Sequence, residues 1–423
     1  MNAATALLLV LACPLAWATP PASELPDAAI VRQVLTQQPG VRAAEYRQTV
    51  AQAERARLQA GAHEWTLRLA GQQRRTQPTN GLNERFNEWN TAIERPFRLP
   101  GKAAIDRALG ETAEQLAETA HGDALHEASR ALLQDWFNWL RENAREQQWT
   151  AQVALLDQQH QALARRQQLG DAAAIDRIQA AAALGQARAE LAQVRGQRIA
   201  AGEILQQRYP GLPLDPPPLS TPQAPDGDLG QWISAIRQHS HELGLARQLA
   251  QRARLNAGRQ QQDRLPDPTI GLQYAHERAG EEQVIGAYLS FPLPGTGRRA
   301  IASGAVAEAA AASQDEAAVQ QKISSEAATL YRHATAAVDA WQAAKTAAEQ
   351  MQQAAAMSAR AWQLGEGSLS ESLLARRLAH DAQLAALNRQ LDALALQHRL
   401  RLDAHQLWPL DPHQPADQPG TAE

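Results

Sequence analysis

The sequence predicts a mainly α-helical chain with a small β part, built twice over: long antiparallel helical hairpins, each preceded by a β-hairpin, four strands in all. Three observations predict it. Pro96-Phe97-Arg98-Leu99-Pro100-Gly101-Lys102 returns as Pro292-Leu293-Pro294-Gly295-Thr296-Gly297-Arg298, and Gln168-Leu169-Gly170 returns as Gln363-Leu364-Gly365. Both repeats come at an offset of about 195 residues, the mark of an internal duplication. Between the two motifs of each copy lies a proline-free helical stretch, whose length of about 65 to 70 residues at 1.5 Å per residue is on the order of 100 Å. Aromatic residues make up only 4% of the chain, while Ala, Gln, Arg, Glu and Leu dominate, which is the composition of long packed helices rather than of a thick globular core.

The first residues carry an address. Ala6 to Ala12 is apolar and Ala16-Trp17-Ala18 has the small-x-small pattern of a signal-peptidase site, so residues 1–18 read as the leader of an exported protein. Leu11-Ala12-Cys13 offers a second reading, a lipobox whose Cys13 carries lipid. Cys13 is the only cysteine, so no intrachain disulfide can form. No other apolar run approaches the roughly 18 residues of a spanning helix, and a net charge of −4 is too mild to recruit nucleic acid.

Residues 19–208 form the first copy. A helix is expected from Asp27 to about Gly61, with Pro26 before it and glycine at its end. A β-hairpin at 63–97 follows: Trp65, Leu67 and Leu69 alternate with Thr66 and Arg68, and Trp89, Thr91 and Ile93 alternate with Asn90, Ala92 and Glu94. Pro78, Asn80 and Gly81 supply the loop between them. Pro96 then ends the second strand and Gly101 swivels the chain into a helix at Lys102. The long helix at 101–169 breaks at Gly170, and a return helix covers 172–208. Seven prolines from Pro210 to Pro225 make 209–228 a stiff extended linker.

The second copy, 229–408, keeps the order. A helix runs to about Arg264; a hairpin at 267–292 carries Ile270, Leu272 and Tyr274, then Ile285, Ala287 and Leu289. The swivel is Pro292, Gly297 and Arg298, the long helix 297–364, the break Gly365 and the return helix 367–407. The tail, 409–423, is rich in Pro and Asp and is expected to be disordered.

Each strand has the length needed to cross a bilayer at a tilt. Four strands cannot close a barrel, and an open edge in lipid leaves N–H and C=O groups unpaired at several kcal/mol each. Three copies would give about twelve strands, enough for an aqueous lumen. Trp65, Trp89, Phe97, Tyr274, Tyr288 and Phe291 fall in or beside the strands, as interfacial girdles do. The same periodicity also fits two soluble hairpins packed on a coiled-coil scaffold with no pore.

Enzyme signatures are missing from the sequence: there is no HExxH, GxSxG or GxxxxGK[ST]. His239-Ser240-His241-Glu242 holds possible metal donors, but side chains at i and i+2 of a helix point apart, so neither a metal site nor a cofactor is expected.

The doubled order of helix, hairpin, swivel, long helix, glycine turn and return helix resembles the TolC family of outer-membrane efflux and secretion channels. The swivels ending in Gly101-Lys102 and Gly297-Arg298 and the turns at Gly170 and Gly365 carry the resemblance. It implies a homotrimer in the outer membrane, with a twelve-stranded barrel and a twelve-helix tunnel extending into the periplasm. It also implies partners: outer-membrane lipid, a periplasmic adaptor (membrane fusion) protein that meets the channel at the Gly170 and Gly365 tips, and an inner-membrane RND-type transporter.

Asp176 and Glu371 each lie six residues past their glycine, where a trimer would gather them into carboxylate rings that favour cations. Trp362 is placed to offer its indole N–H to Asp176. Lys102 and Arg298 start helices, where the dipole disfavours a cation, so lipid phosphate or solvent is expected to offset them. The swivel PLPGTGRR and the run Leu265 to Pro268 look most like members that export heavy-metal cations; drug efflux and type I secretion stay open.

Overall fold

The computed structural model describes residues 24–408 apart from 78, 80 and 82. The leader, Cys13 and the tail 409–423 lie outside the described residues, as do Pro78 and Asn80 of the first hairpin loop.

The expected single helix from Asp27 to Gly61 is two helices, α1 (Ala28–Thr36) and α2 (Pro39–Ala60). Asp27 caps α1 by accepting from the backbone N–H groups of Ala29 and Ile30. Proline at the first position of α2 cannot continue α1, because it has no N–H and its ring clashes with the carbonyl one turn back. Gln38, before it, is extended at φ −61°, ψ 135°. The second copy is broken too: α5 (Leu229–His239) and α6 (His241–Gln262) meet at Ser240, extended at φ −67°, ψ 111°. No proline announces this break; the Ser240 hydroxyl starts the new helix by accepting from Leu243 N–H at 3.2 Å.

The long helices are α3 (Lys102–Gln168) and α7 (Thr296–Gln363), of 67 and 68 residues. The return helices are α4 (Ala174–Arg208) and α8 (Leu369–Asp403), so the last ends short of 407. Each long helix is flanked by two shorter ones laid end to end: α2 and α4 along α3, α6 and α8 along α7. The joint in the first copy is closed by Gln38, whose side-chain amide donates to the carbonyl of Arg208, the last residue of α4. In the second copy the His405 ring, just past α8, packs on His241, the first residue of α6, at 5.0 Å between centroids.

Large apolar side chains gather at this level. Leu132, Trp136, Trp139 and Leu140 at the middle of α3 pack with Val31, Leu205, Tyr209, Leu391, Leu394 and Trp408, and Trp136 donates its indole N–H to the Glu24 carbonyl at 2.8 Å. Along α7, and along α5 and α6, the packing is thin and regular. Ala327, Ala334, Trp341, Ala348 and Ala355 are buried at every seventh position of α7, as are Ile236, Leu243, Ala250 and Ala257 across α5 and α6. A sustained seven-residue repeat keeps a seam facing its partner only if the helices supercoil left-handedly, and alanine lets the axes come close.

The strands β1 (Thr66–Thr76), β2 (Glu84–Pro96), β3 (Thr269–Glu277) and β4 (Glu282–Ser290) form one antiparallel sheet in sequence order. The β2–β3 pairing, Pro96 against Thr269 through Trp89 against His276, joins the two copies. β1 and β4 are its edges.

Lys102 sits where sheet becomes helix, and here the structure corrects the expectation of a lipid or solvent partner. Its ammonium is 1% exposed and contacts Asp263 at 2.9 Å, Asp267 at 2.8 Å and the Leu265 carbonyl at 2.7 Å. Asp267 also accepts from Leu99 N–H and meets His63; Arg259 spans Asp263 and Asp106, and Arg98 meets Asp106. Burial alone would raise the Asp267 carboxyl, but these donors hold it below its ordinary value. The dipole penalty on a cation at a helix start is thus outweighed by two carboxylates of the other copy.

Two measurements check these assignments. Lys102→Met leaves Asp263 and Asp267 without their shared cation, and removing one partner of a buried pair costs about 3–5 kcal/mol. Because Arg259 and His63 remain, the loss should be near 3 kcal/mol in denaturant unfolding of detergent-extracted protein.

The second concerns Asp403 at the joint. Burial would raise its carboxyl, but the His126 hydrogen bond and the Arg130 and Arg399 guanidinia hold it at about 2, against 3.8 for a free group. A depressed carboxyl stabilises fully above its unfolded value and loses that stabilisation as pH falls through its folded value. Asp403→Asn should therefore cost roughly 2 kcal/mol at neutral pH, and the difference from the parent should shrink as pH falls and vanish only below about pH 2.

Candidate functional site

The register sorts the sheet into two unlike faces. Leu67, Ile93, Leu272 and Ala287 form one row across the four strands, and Leu69, Thr91, Tyr274 and Ile285 the next. Trp65, Trp89, Ile270 and Leu289 share that face by alternation. It is bare: Leu67 is 65% exposed, Leu69 71% and Ile285 83%. The opposite face is ionic and hydrogen-bonded. Arg68 meets Glu94 at 2.9 Å, Tyr288 donates to Glu94, Arg74 bridges Glu88 and Glu277, and Gln72 donates to Glu88 at 2.8 Å. A soluble sheet hides its apolar face and wets the other; here the apolar face is the uncovered one.

Below the sheet, the swivels differ between copies. Gly101 has φ 92°, a left-handed conformation that only glycine adopts without strain, and precedes the buried Lys102. Pro96 ends β2 opposite Thr269. In the second copy Pro292, Gly297 and Arg298 are exposed, and Arg298 donates to the Asp263 carbonyl at 3.0 Å. The same aspartate thus serves both swivels, through its carboxylate to Lys102 and its carbonyl to Arg298.

At the far end the two helix turns are alike. Gly170 and Gly365 both have φ 81°, and a β-carbon at either would meet nothing within 4 Å. Asp171 N–H returns to the Arg166 carbonyl at 2.8 Å and Glu366 N–H to Ala361 at 2.9 Å, the six-to-one bond of a Schellman cap. Leu169 and Leu364, just before the glycines, are 83% and 59% exposed. The turns lie side by side: Leu163 and Ala180 of the first hairpin pack with Leu369 and Trp362 of the second, and Ser370 reaches Gln179 at 3.1 Å.

Asp176 and Glu371 occupy equivalent places, the third residue of α4 and of α8, where a carboxylate also favours the helix dipole. Their surroundings differ. Glu371 closes a capping box: its carboxylate accepts from Ser368 N–H at 3.1 Å while its own N–H donates to the Ser368 hydroxyl at 3.1 Å. The Ser368 backbone hydrogen bond keeps this exposed carboxyl below its ordinary value. Asp176 follows Ala173, which offers no side-chain cap. Trp362 does not meet Asp176 among the described residues; its ring lies 5.9 Å from the Arg166 guanidinium.

Sequence reading missed the capping box, although Ser368-x-x-Glu371 before an apolar residue is a readable signature. It also missed the knot around Lys102, which joins residues some 160 positions apart and leaves no local pattern.

No protein-family model matches the sequence, and no curated protein is a detectable match. Solved structures do match in fold. The outer-membrane channel OprN is similar with a TM-score of 0.73 at 18% identity, over 90% of this chain and 90% of that one. The CmeC outer membrane channel of Campylobacter jejuni gives 0.71 at 13% identity, over 89% and 85%. The outer membrane protein VceC of Vibrio cholerae gives 0.68 at 18% identity, over 90% and 99%. With its doubled helical hairpins, its four-stranded sheet and its bare apolar face, the chain has the fold of the TolC-like outer-membrane channels.

Proposed function

We propose that this chain is one protomer of a homotrimeric outer-membrane channel, a passive conduit from periplasm to exterior in a tripartite efflux system. The observation that carries this reading is the sheet: an apolar face, an ionic opposite face, and two edges that no strand among the described residues covers. In lipid such edges are untenable, and edge-to-edge closure with two further copies satisfies them. The long helices then form a tunnel on the order of 100 Å deep. The exposed Leu169 and Leu364 beside Gly170 and Gly365 suit docking of a periplasmic adaptor, with an RND-type inner-membrane transporter supplying energy. Heavy-metal cations are the proposed substrate class, on the likeness of the second swivel and on acidic groups at the tip.

Detergent-extracted protein should have about three times the chain mass of 46.0 kDa by light scattering after subtraction of detergent, and should form conducting pores in planar bilayers. A monodisperse monomer that stays soluble without detergent would defeat the reading and leave a coiled-coil scaffold.

The tip carboxylates offer a finer test. If Asp176 and Glu371 ring the narrow periplasmic end, low-dielectric walls focus their field on passing ions. Asp176→Asn with Glu371→Gln should lower cation-over-anion selectivity at 0.1 M salt and change it little at 1 M, because the Debye length falls from about 10 Å to about 3 Å. Glutamine keeps the capping box with Ser368, so the pair removes charge and spares the helix start. Unchanged selectivity at low salt would place both carboxylates on a solvated outer face.

A further inference from the structure

The bare face of the sheet changes character before it reaches the hairpin loops. Along the register, the row of Leu69, Thr91, Tyr274 and Ile285 is followed by Gly71, Trp89, His276 and Gln283. There Trp89 stacks on His276 at 5.6 Å between centroids and tilts against Tyr274 at 5.4 Å, as aromatic rings do at a boundary between hydrocarbon and water. The next row toward the first loop is polar, with Gln73 donating to Asn87 at 3.2 Å. The row after it sets Arg75 directly opposite Arg85.

Like charges facing each other across two strands are destabilising, and the other arginines of the sheet and its loops are each supplied with a partner. Arg68 meets Glu94, Arg74 meets Glu88 and Glu277, and Arg278 meets Glu282 at 3.1 Å. Arg95 lies over the Trp65 ring and donates to the His63 carbonyl at 2.9 Å. Arg75 and Arg85 are exposed and have no acceptor among the described residues. The acids nearby do not serve them: Glu88 and Glu94 belong to the ionic face, and Glu84, opposite Thr76, alternates to that face too.

Position narrows what could neutralise the pair. It lies at the end of the sheet away from Lys102, two rows beyond the Trp89 ring. That is about 13 Å along the strands and, at the tilt of a barrel strand, about 10 Å along the membrane normal. The guanidinia therefore stand beyond hydrocarbon, with flexible stems that reach the headgroup layer. An apolar surface that leads through an aromatic belt to unpaired cations has the order of a lipid: chains, interface, anionic head.

We propose that Arg75 and Arg85 clamp the phosphate of an anionic outer-leaflet lipid, whose acyl chains lie down the bare face past Tyr274, Leu69 and Leu67. This inference rests on the reading of the sheet as part of a membrane barrel with its hairpin loops outside. Each guanidinium presents a planar fork of N–H donors that matches phosphate oxygens. One phosphate between the two forks turns a repulsive cross-strand contact into a bridged one, and the site needs only the first hairpin of one chain.

The test uses the full-length trimer in a maltoside detergent, titrated with lipid A, a glucosamine lipid that carries two phosphates, and followed by native mass spectrometry. One tightly held lipid per chain is expected. Arg75→Gln with Arg85→Gln should weaken binding at least about tenfold. Arg75→Lys with Arg85→Lys keeps the charge and loses the forks, so it should fall between parent and glutamine variant. Lipid A stripped of its phosphates should bind parent and variants alike, and inorganic phosphate should compete poorly because it gains nothing from the apolar face. Arg264→Gln with Arg299→Gln, beside the second swivel at the other end of the sheet, should change nothing.

Light scattering and bilayer conductance of each variant show whether the trimer is intact. A parent that forms neither trimer nor pore fails the channel reading itself, and this inference with it. In a conducting trimer, binding that ignores the glutamine pair, ignores removal of the phosphates, or falls equally with Arg264→Gln and Arg299→Gln overturns the clamp alone. Loss of the trimer in lipid-free detergent on neutralising Arg75 and Arg85 would also overturn it, by showing that a carboxylate of a neighbouring copy is their partner.

Discussion

The rest of the molecule hangs from one buried ammonium. Lys102 stands at the change from strand to helix, and both aspartates that neutralise it belong to the other copy. Because a buried cation without its partners is untenable, the end of β2, the start of α3, the end of α6 and the entry to β3 are fixed together. The β2–β3 ladder above and the α3–α6 packing below share this point, so neither can shift register alone. Duplication usually yields two units that could part; here charge exchange between unlike swivels makes them one.

The division of labour along the long axis follows from side-chain size. At mid-length the packing uses Trp136, Trp139, Tyr209 and Trp408, and there the extended linker, the chain's described beginning at Glu24 and the end of α8 all meet. The Glu24 carboxylate contacts His398 at 2.6 Å; burial would raise it, but the His398 hydrogen bond keeps it below its ordinary value. Toward the far end smaller clusters take over, Leu156 with Leu184 and Leu163 with Leu369, and α7 contributes alanine at heptad spacing.

Much of this was legible in the sequence because the repeat reports each element twice. A strand that is ambiguous alone, such as Ile270 to Tyr274, gains weight when its counterpart precedes an equivalent Pro-Gly swivel. Local chemistry decides the glycines too, since Gly170 and Gly365 need the left-handed conformation for reasons present within their own helices. What stayed hidden depends on distance or on backbone direction. Lys102 meets Asp263 and Asp267 only after a long connection closes, and nothing near Ser240 forecasts a helix break. Pro39 was readable, and the smooth apolar pattern around it masked the signal.

The pairing of β2 with β3 sets the order in which the molecule can be made. Ala92 lies opposite Gln273, so the central ladder must close a loop of roughly 180 residues before it gains any hydrogen bond. The helical hairpins need only neighbours in sequence and can form as soon as each turn leaves the ribosome or translocon. The local hairpins therefore come first and the central ladder last, with the β2 edge of the first copy waiting, unpaired, for β3 of the second. During that wait they are a hazard of aggregation, and their Arg68, Arg74, Arg75 and Arg85 charges act as gatekeepers against it.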